Sequence, residues 1–531
     1  MGEIGIGEAI RTRMDRAELT APHEWALFAM AAQRLDDPGS KLGCATRWLP
    51  DIAWLPEAGK LAVDQLYRAL DFLAVWSDEI ERDVFLRSAD LLRLDVDLIF
   101  YDTTTAYFEI DEPDEHCEQW GGKLFSPLRQ RGHSKEGRDA NPQVVIAMAV
   151  TRDGMPVRSW VLPGNTADVA TVARIKQDLH AWQLGRCLFV GDAGMYSADN
   201  LAELSRGLGR YVLAVPMRRV KDVEAEVLTR PGRYRKVADN LEVKEVWVGD
   251  GERRKRYVLC FNPAEAERQR QHRIEVLTEL AAELNLLDER DEDHPKAACA
   301  LMASRRWGRY LSPDWRGRPK LDAAKVKAAE KFDGKWVVIS NDDTLTAEDV
   351  ALAYKGGMII ESCFRRMKQT GLEVRPMFHW ALRRIEAHVK LCVLALQVQR
   401  TAEIRTGLPW ARIAHLLGTL KAVLRGREPY HCSAHENRSR ARRSAEKAQN
   451  SNVKATAGGH RGGRAPRPGI DTRSESASRK PLIDIVDSAR LSSDREPGFC
   501  RRQAHVPPTG RRLTRAEARL SKRINSVEVR R

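Results

Sequence analysis

The 531-residue sequence has no CxxC pair, and its nine cysteines are scattered and odd in number, which excludes a disulfide framework and a zinc ribbon. It has no long apolar run either. The best candidate, Leu391 to Val398, falls far short of the roughly 18 residues that a bilayer-spanning helix needs. The first residues, MGEIGIGEAIRTRMDRAE, carry charges through the place where a signal-peptide core would sit. No internal repeat is present. These absences describe a cytosolic chain with no membrane span, and 43% hydrophobic residues suffice for a core in each of about two to four domains.

The net charge of +14 is unevenly placed. Residues 431–531 hold 24 Lys and Arg against 10 Asp and Glu, so 1–430 balance at 64 of each sign. Within that body, residues 1–100 count 11 basic and 18 acidic side chains, and 301–430 count 24 and 13. A polyanion is therefore expected against 301–430 rather than against the N-terminus.

Residues 1–95 read as a helical region: EWALFAMAAQRL and KLAVDQLYRALDFLAVWSDEIERDVFLRSADLLRL space their apolar residues by three and four, with breaks at Pro38-Gly39-Ser40 and Pro56. A helix-turn-helix fits this stretch, although its acidic excess argues against strong phosphate contact. From 96 the texture becomes α/β. VDLIFYDTTTAYFEI, QVVIAMAVTRDG and MPVRSWVLPG read as strands, the last two joined at Asp153-Gly154. A helix over Asp168–Trp182, the strand RCLFVGDAG, the helix SADNLAELSRGL and the strand YVLAVPM follow, which makes a mixed sheet. Residues 218–334 interrupt this core with a small β unit (EVKEVWVGD, KRYVLCFN) and a charged helix from Ala264 to Leu287. The core resumes over 335–430 with KWVVISN, a helix over Thr346–Gln369 and the amphipathic WALRRIEAHVKLCVLALQVQRTAEI. Residues 431–531 contain one aromatic, Phe499, and 20 of their 24 basic residues are Arg. Such a composition cannot repay the entropy of ordering. It is either an Arg-rich nucleic-acid tail or non-native sequence, for instance a shifted reading frame after about Tyr430.

Three carboxylates stand out. Asp102 follows Phe100 and Tyr101 inside an apolar strand and precedes three threonines. Asp192 ends RCLFVGDAG, between Gly191 and Gly194. Glu361 lies on a helix after the interruption. An aspartate in a hydrophobic strand is costly unless paired or bound to metal. Neighbouring strands of one βαβ-like unit would bring both aspartates within reach of one cation. The chemistry such a trio serves is two-metal phosphodiester cleavage, in which ions roughly 4 Å apart take hard oxygen ligands. Each residue also has a plain alternative: Asp192 as a turn cap, Asp102 bonded to its threonines. Tyr354, Glu361 and Lys368 are spaced by seven, and seven steps of about 100° return a side chain to within about 20°, so all three are expected on one helix face. Gly356-Gly357 weaken the turn between them by about 1 kcal/mol each, which is expected to leave Tyr354 just outside the helix.

These residues resemble a family. YDTTTAYFE, FVGDAGMYS and Y-x2-G-x3-E-x6-K at 354–368 are similar to the DDE transposases of bacterial insertion sequences. The likeness is narrower still to the superfamily with a Tyr, Arg, Glu, Lys signature and a β-rich insertion before the Glu. It covers about 96–405, including GHSKEGRDANPQ, LPGNTAD and RPMFHWALRRIEAHVKLCVLAL. It implies an RNase H-like mixed-sheet core (96–217 and 335–430) with an insertion domain (218–334); for the helical N-terminal region (1–95), DNA-end binding is one open reading. It further implies Asp102, Asp192 and Glu361 as catalytic ligands of two Mg²⁺, and cleavage and strand transfer on double-stranded transposon ends and target. The partner copy would be a second chain in a homodimeric synaptic complex, and the place of action the cytoplasm, at the nucleoid.

Carried over by position, Tyr354, Glu361 and Lys368 match the signature, with Tyr354 and Lys368 expected on the DNA phosphate. The arginine position is Gly357, and Arg365, one turn after Glu361, is the candidate substitute. Lys135 and Arg138 in GHSKEGR are candidate phosphate contacts or a solvated loop. Asn165-Thr166 are expected to cap the helix that follows. Asp111, Glu112, Asp114 and Glu115 read as a solvated loop, and His116/Cys117 and His431/Cys432 lack partners at zinc spacing. Two rival readings remain: an RNase H-like nuclease that cuts without joining, and a catalytically inactive DNA-binding relic.

Overall fold

The computed structural model describes residues 1–251, 254–288, 295–369, 371–419, 421–425 and 428–432, and the Arg-rich stretch from 433 onward lies outside them. The chain divides into two units, Met1–Ala414 and His415–Arg531. In the second, Lys421–Arg425 and Glu428–Cys432 pair as an antiparallel hairpin. The first holds everything discussed below.

Among the described residues of the first unit, nine strands form one mixed sheet. They are β1 (Leu98–Tyr107), β2 (Gln143–Thr151), β3 (Pro156–Pro163), β4 (Leu188–Gly191), β5 (Arg210–Val215), β6 (Arg235–Ala238), β7 (Leu241–Val248), β8 (Lys255–Phe261) and β9 (Lys335–Ser340). Their order across the sheet is β3-β2-β1-β4-β5-β9-β8-β7-β6. β4 runs parallel to β1 and to β5, and the other pairings are antiparallel. The sheet contains every strand expected from the sequence, with one revision. EVKEVWVGD and KRYVLCFN do not form a small unit of their own: as β7 and β8 they extend the main sheet through β9. Apart from the sheet, helix Pro263–Asp288 and the hairpin Leu311–Pro313/Pro319–Leu321 contribute to a separate apolar cluster of Val276, Leu280, Leu301, Tyr310 and Leu311.

β1 shows how sequence alternation builds the layers. Leu98 and Phe100 belong to one core, Ile99 and Tyr101 to the other, so successive side chains serve opposite faces. The first face is covered by α1 (Ile6–Arg16), α2 (His23–Asp36), α3 (Val63–Leu92) and later helices, the second by α4 (Asp168–Ala181) and α5 (Ala198–Ser205). α4 begins at Asp168 as expected, but its N-cap is Ala167 and no side chain caps it, so Asn165 and Thr166 do not have that role.

The helix expected over Thr346–Gln369 is two helices. Thr346 and Asp349 form a capping box at the start of α6 (Ala347–Gly356), and α7 (Met358–Lys368) follows after a break at Gly357. Tyr354 lies inside α6. α7 buries Ile360, Cys363, Phe364 and Met367, a three-and-four spacing that turns Glu361 and Arg365 outward. Two glycines allow α7 its close seat on the sheet. Gly154, in the β2–β3 turn at φ 73°, would put a Cβ 2.6 Å from Ile359, and Gly356 would put one 2.8 Å from the ring of Phe100. α8 (Leu382–Thr406) completes the layer, its long apolar side fully buried, and Gly407 in the left-handed region ends it. No described helix is long and apolar enough to cross a membrane.

Candidate active site

The β1–β4 pairing sets the site. Leu98, Ile99 and Phe100 lie opposite Leu188, Phe189 and Val190 in parallel register. The paired register ends at Phe100 and Val190; Asp102 lies two residues further along β1, and Asp192 is the first residue after β4. Continued by two residues at the roughly 4.8 Å spacing of parallel neighbours, the register would set Asp102 beside Asp192, in keeping with the effect of the Asp192 charge on Asp102. On the Phe100 face of β1 lies the junction between α6 and α7, with Gly356 and Gly357 against the Phe100 ring. Asp102 thus comes from β1, Asp192 from the turn that follows β4 and Glu361 from α7, although 89 and 168 residues separate them in the chain.

The electrostatics agree with this convergence. Asp102, with 22% of its side chain exposed, has its carboxyl pushed up to about 6. Burial is the main cause, opposed by Lys135 and by the Thr103 N–H, and reinforced by the charges of Asp192 and Asp168. Burial and the charge of Asp192 also raise Glu361, and Arg365 one turn along opposes them. The hydroxyl of Tyr354 is raised by burial and then by Asp192, Glu361 and Asp102, so one phenol senses all three acids. The plain alternatives hold at the same time: Asp102 accepts from Thr103 N at 2.7 Å, and Asp192 caps the short turn Ala193–Met195 by accepting from Ala193 N at 2.6 Å.

Among the described residues, no three His, Cys, Asp or Glu side chains are arranged to hold a metal ion as they stand. Beside Asp102 stands a cation of the chain itself. The Lys135 ammonium donates to Thr103 Oγ1 at 2.7 Å and to Thr103 O at 2.8 Å, and lies 3.2 Å from Asp168 and 3.5 Å from Asp102. Thr103 Oγ1 in turn donates to Asp168. A side-chain cation therefore stands among the oxygens. The donor set itself, with the charge of Asp192 felt by both Asp102 and Glu361, fits a hard divalent ion.

Other expected contacts are placed differently. Lys368 does not reach the acids: its side chain is 8% exposed and its ammonium meets Glu136 at 2.7 Å. Arg375 binds the other oxygen of Glu136. Arg138 is exposed and stacks over Tyr107 at 5.5 Å. Asp114 is not solvated as expected, since it is locked by Arg129 and two backbone N–H groups.

Asp168, Thr103 and Glu136 were not singled out from the sequence. Asp168 sits in LPGNTAD and Glu136 in GHSKEGR, stretches that carry the family resemblance but that read by themselves as a cap region and a loop.

The transposase DDE domain model matches residues 122–397, a span that begins after Asp102 and includes Asp192, Tyr354, Glu361 and Lys368. No curated protein matches the chain. Among solved structures it is similar to a cryo-EM structure of the piggyBac transposase synaptic complex with hairpin DNA, at 8% identity and a TM-score of 0.34 over 75% of this chain and 70% of that one, a likeness too distant to fix a fold. The family match extends over more than half of the sequence, and the chain belongs to the transposase DDE domain family.

Proposed function

We propose that the chain is a DNA transposase that cleaves and rejoins phosphodiesters at the ends of an insertion sequence, with Asp102, Asp192 and Glu361 as the catalytic carboxylates. The observation that carries this reading is that Tyr354 senses Asp192, Glu361 and Asp102 together, with Asp102 and Asp192 beyond the paired ends of two adjacent parallel strands. Strand order 3-2-1-4-5, with parallel crossovers into β4 and β5, supports an RNase H-like core over 96–217 and 335–430. The insertion would be 218–334, its strands lengthening the sheet and its helix and hairpin standing apart. Residues 1–95 would be the helical region near the DNA end.

The three carboxylates would hold two Mg²⁺. When bound, these ions supply an activated water or 3′-hydroxyl and charge stabilisation at the leaving oxygen. The chain's own contribution is placement. β1 would hold Asp102 and the end of β4 would present Asp192, while the Gly356-Gly357 junction against Phe100 would set α7 and its Glu361 beside them. Arg365 opposes the upward push that burial and the charge of Asp192 exert on Glu361. Tyr354 offers a hydroxyl that stays protonated, hence a donor toward phosphate oxygen. Arg138, Arg365 and the basic 301–430 stretch provide attraction for the DNA backbone, in a homodimer that pairs two ends.

The test compares wild type with Asp192→Asn on DNA bearing the element's terminal repeats, at matched binding, with and without Mg²⁺. Metal-dependent cutting by wild type alone supports the reading. Cutting by neither protein leaves a DNA-binding relic. Cutting without joined products in a target plasmid leaves a nuclease.

A further inference from the structure

Two consecutive residues of one loop, Lys135 and Glu136, engage the site with opposite charges. The Lys135 ammonium has four oxygens around it: Thr103 Oγ1 at 2.7 Å, Thr103 O at 2.8 Å, Asp168 at 3.2 Å and Asp102 at 3.5 Å. Glu136 presents one oxygen to Lys368 at 2.7 Å and the other to Arg375. A cation thus rests on the carboxylates, and next to it an oxyanion rests on a pair of cations. A divalent ion and a DNA phosphate would offer the same two charges in the same order.

We infer that the Lys135-Glu136 dipeptide is an internal stand-in for metal and phosphate, a plug that closes the site until both ligands displace it. This rests on the proposed function, since it presumes that Asp102 lies in a metal site. The loop is built to be displaced. Lys135 and Glu136 belong to neither a strand nor a helix, so moving them breaks no element. Their positions are set by small contacts: Ser134 N to Asp139 at 2.6 Å, Lys135 N to Thr105 Oγ1 at 3.1 Å, and Gly137 at φ 73°. His133, Gly137, Arg138, Asp139 and Ala140 are exposed, and Lys135 keeps a third of its side chain in solvent, so a path outward exists. Lys368, in contrast, is buried on a packed helix and cannot follow the loop. Once Glu136 leaves, its ammonium must find another anion or remain a buried unpaired charge, which is expensive. That cost couples the two displacements: phosphate binding at Lys368 releases Glu136, and the same movement draws Lys135 off the carboxylates.

The experiment uses the full chain, without DNA, titrated calorimetrically with Mn²⁺. Lys135→Gln removes the competing charge and is expected to bind Mn²⁺ at least about fivefold more tightly than wild type, whereas Lys135→Arg keeps the charge and the weaker binding. In a second arm without divalent ions, Glu136→Gln frees Lys368 and Arg375, and its binding to a short duplex of arbitrary sequence should steepen in salt dependence by one to two phosphate contacts, a slope change of about 0.9 each. Equal or weaker Mn²⁺ binding by Lys135→Gln overturns the plug, as does an unchanged salt slope for Glu136→Gln. Wild-type Mn²⁺ binding that Asp192→Asn abolishes, with no gain in Lys135→Gln, removes this inference and leaves the proposed function standing. Absence of Mn²⁺ binding in every protein removes both.

Discussion

Gly357 occupies the position where the transposase signature has arginine, and replacing it with arginine tests how that position acts. The backbone there is right-handed helical, at φ −57° and ψ −17°, so an L side chain adds no strain. A Cβ would lie 3.1 Å from the Tyr354 carbonyl oxygen and 3.8 Å from Phe100. The second distance is ordinary, and the first requires the carbonyl to give by a few tenths of an ångström. Against that crowding stands a gain of up to about 1 kcal/mol from removing glycine between two helices. The net stability change should therefore fall between zero and about +1 kcal/mol, readable as a shifted urea midpoint with an unchanged slope. Residue 357 precedes Glu361 by one turn, as Arg365 follows it by one, so the new guanidinium would flank the acid from the other side. If it meets a phosphate, the slope of log K against log salt should steepen by about 0.9, and strand transfer into a matched plasmid should rise. An unchanged slope together with unchanged or reduced transfer would refute the argument, because it would mean that this helix junction does not face DNA.

Three further outcomes follow. Because Asp102 must be ionised to take a metal and its carboxyl titrates at about 6, metal-dependent cleavage should fall about tenfold per pH unit below that value and level off above it; a rate flat down to pH 5 contradicts this. Lys390, 2% exposed, bonds Glu81 at 2.8 Å and Ser159 O at 2.6 Å, so Lys390→Ala strands a buried carboxylate and should cost about 3–5 kcal/mol in urea unfolding, with Glu81→Leu added to Lys390→Met restoring much of it. Lys41 is buried beside His388 and Arg34, and burial followed by Arg34 lowers it to about 7. The unfolded chain then holds the extra proton up to about 10.5, so stability should rise between pH 7 and that value, by at most about 1.4 kcal/mol per unit, and Lys41→Met should flatten the rise.

The strands were legible because each is a short β-branched or aromatic run between turn residues, and Asp153-Gly154 marks its hairpin at the residue level. The pairing was less so. Whether EVKEVWVGD and KRYVLCFN make their own sheet or extend another depends on an edge that β9 provides some 75 residues later, and periodicity carries no information about partners. Asp102 is legible as an acid inside an apolar strand and Asp192 as one that follows another, whereas Glu361, on the outward side of its helix, is legible through its spacing with Tyr354 and Lys368. Asp168 could not be found in that way. As the first residue of a helix it looks ordinary in sequence, and only the crossover that returns α4 to the sheet sets it beside Thr103. The heptad spacing of Tyr354, Glu361 and Lys368 misled in part. It assumes a continuous helix, whereas the break at Gly357 leaves Tyr354 near the acids and Lys368 at the far end with Glu136.

A site that gathers carboxylates before a metal arrives faces a physical conflict. At neutral pH the displacement of Asp102 from about 3.8 to about 6 corresponds to on the order of 3 kcal/mol of stability forgone, present as a cost above pH 6 and absent below pH 3.8. Lys135 already reduces that cost, since its charge is the largest effect opposing burial. Yet any interaction that stabilises the metal-free chain and is lost on loading lowers the metal's affinity by the same amount, because binding free energy is measured from the free state. Lys135 therefore cannot both neutralise the carboxylates fully and leave them receptive. A loop ammonium one-third exposed, at 3.2 and 3.5 Å rather than in tight contact, is a compromise of this kind: enough charge to keep the strand folded, held loosely enough to yield. The corollary is testable as a trade-off. Lys135→Gln should unfold at lower urea than wild type in chelator and close that gap, or reverse it, in millimolar Mn²⁺; a deficit that persists at saturating metal would mean that the lysine holds up the fold and does not compete for the site.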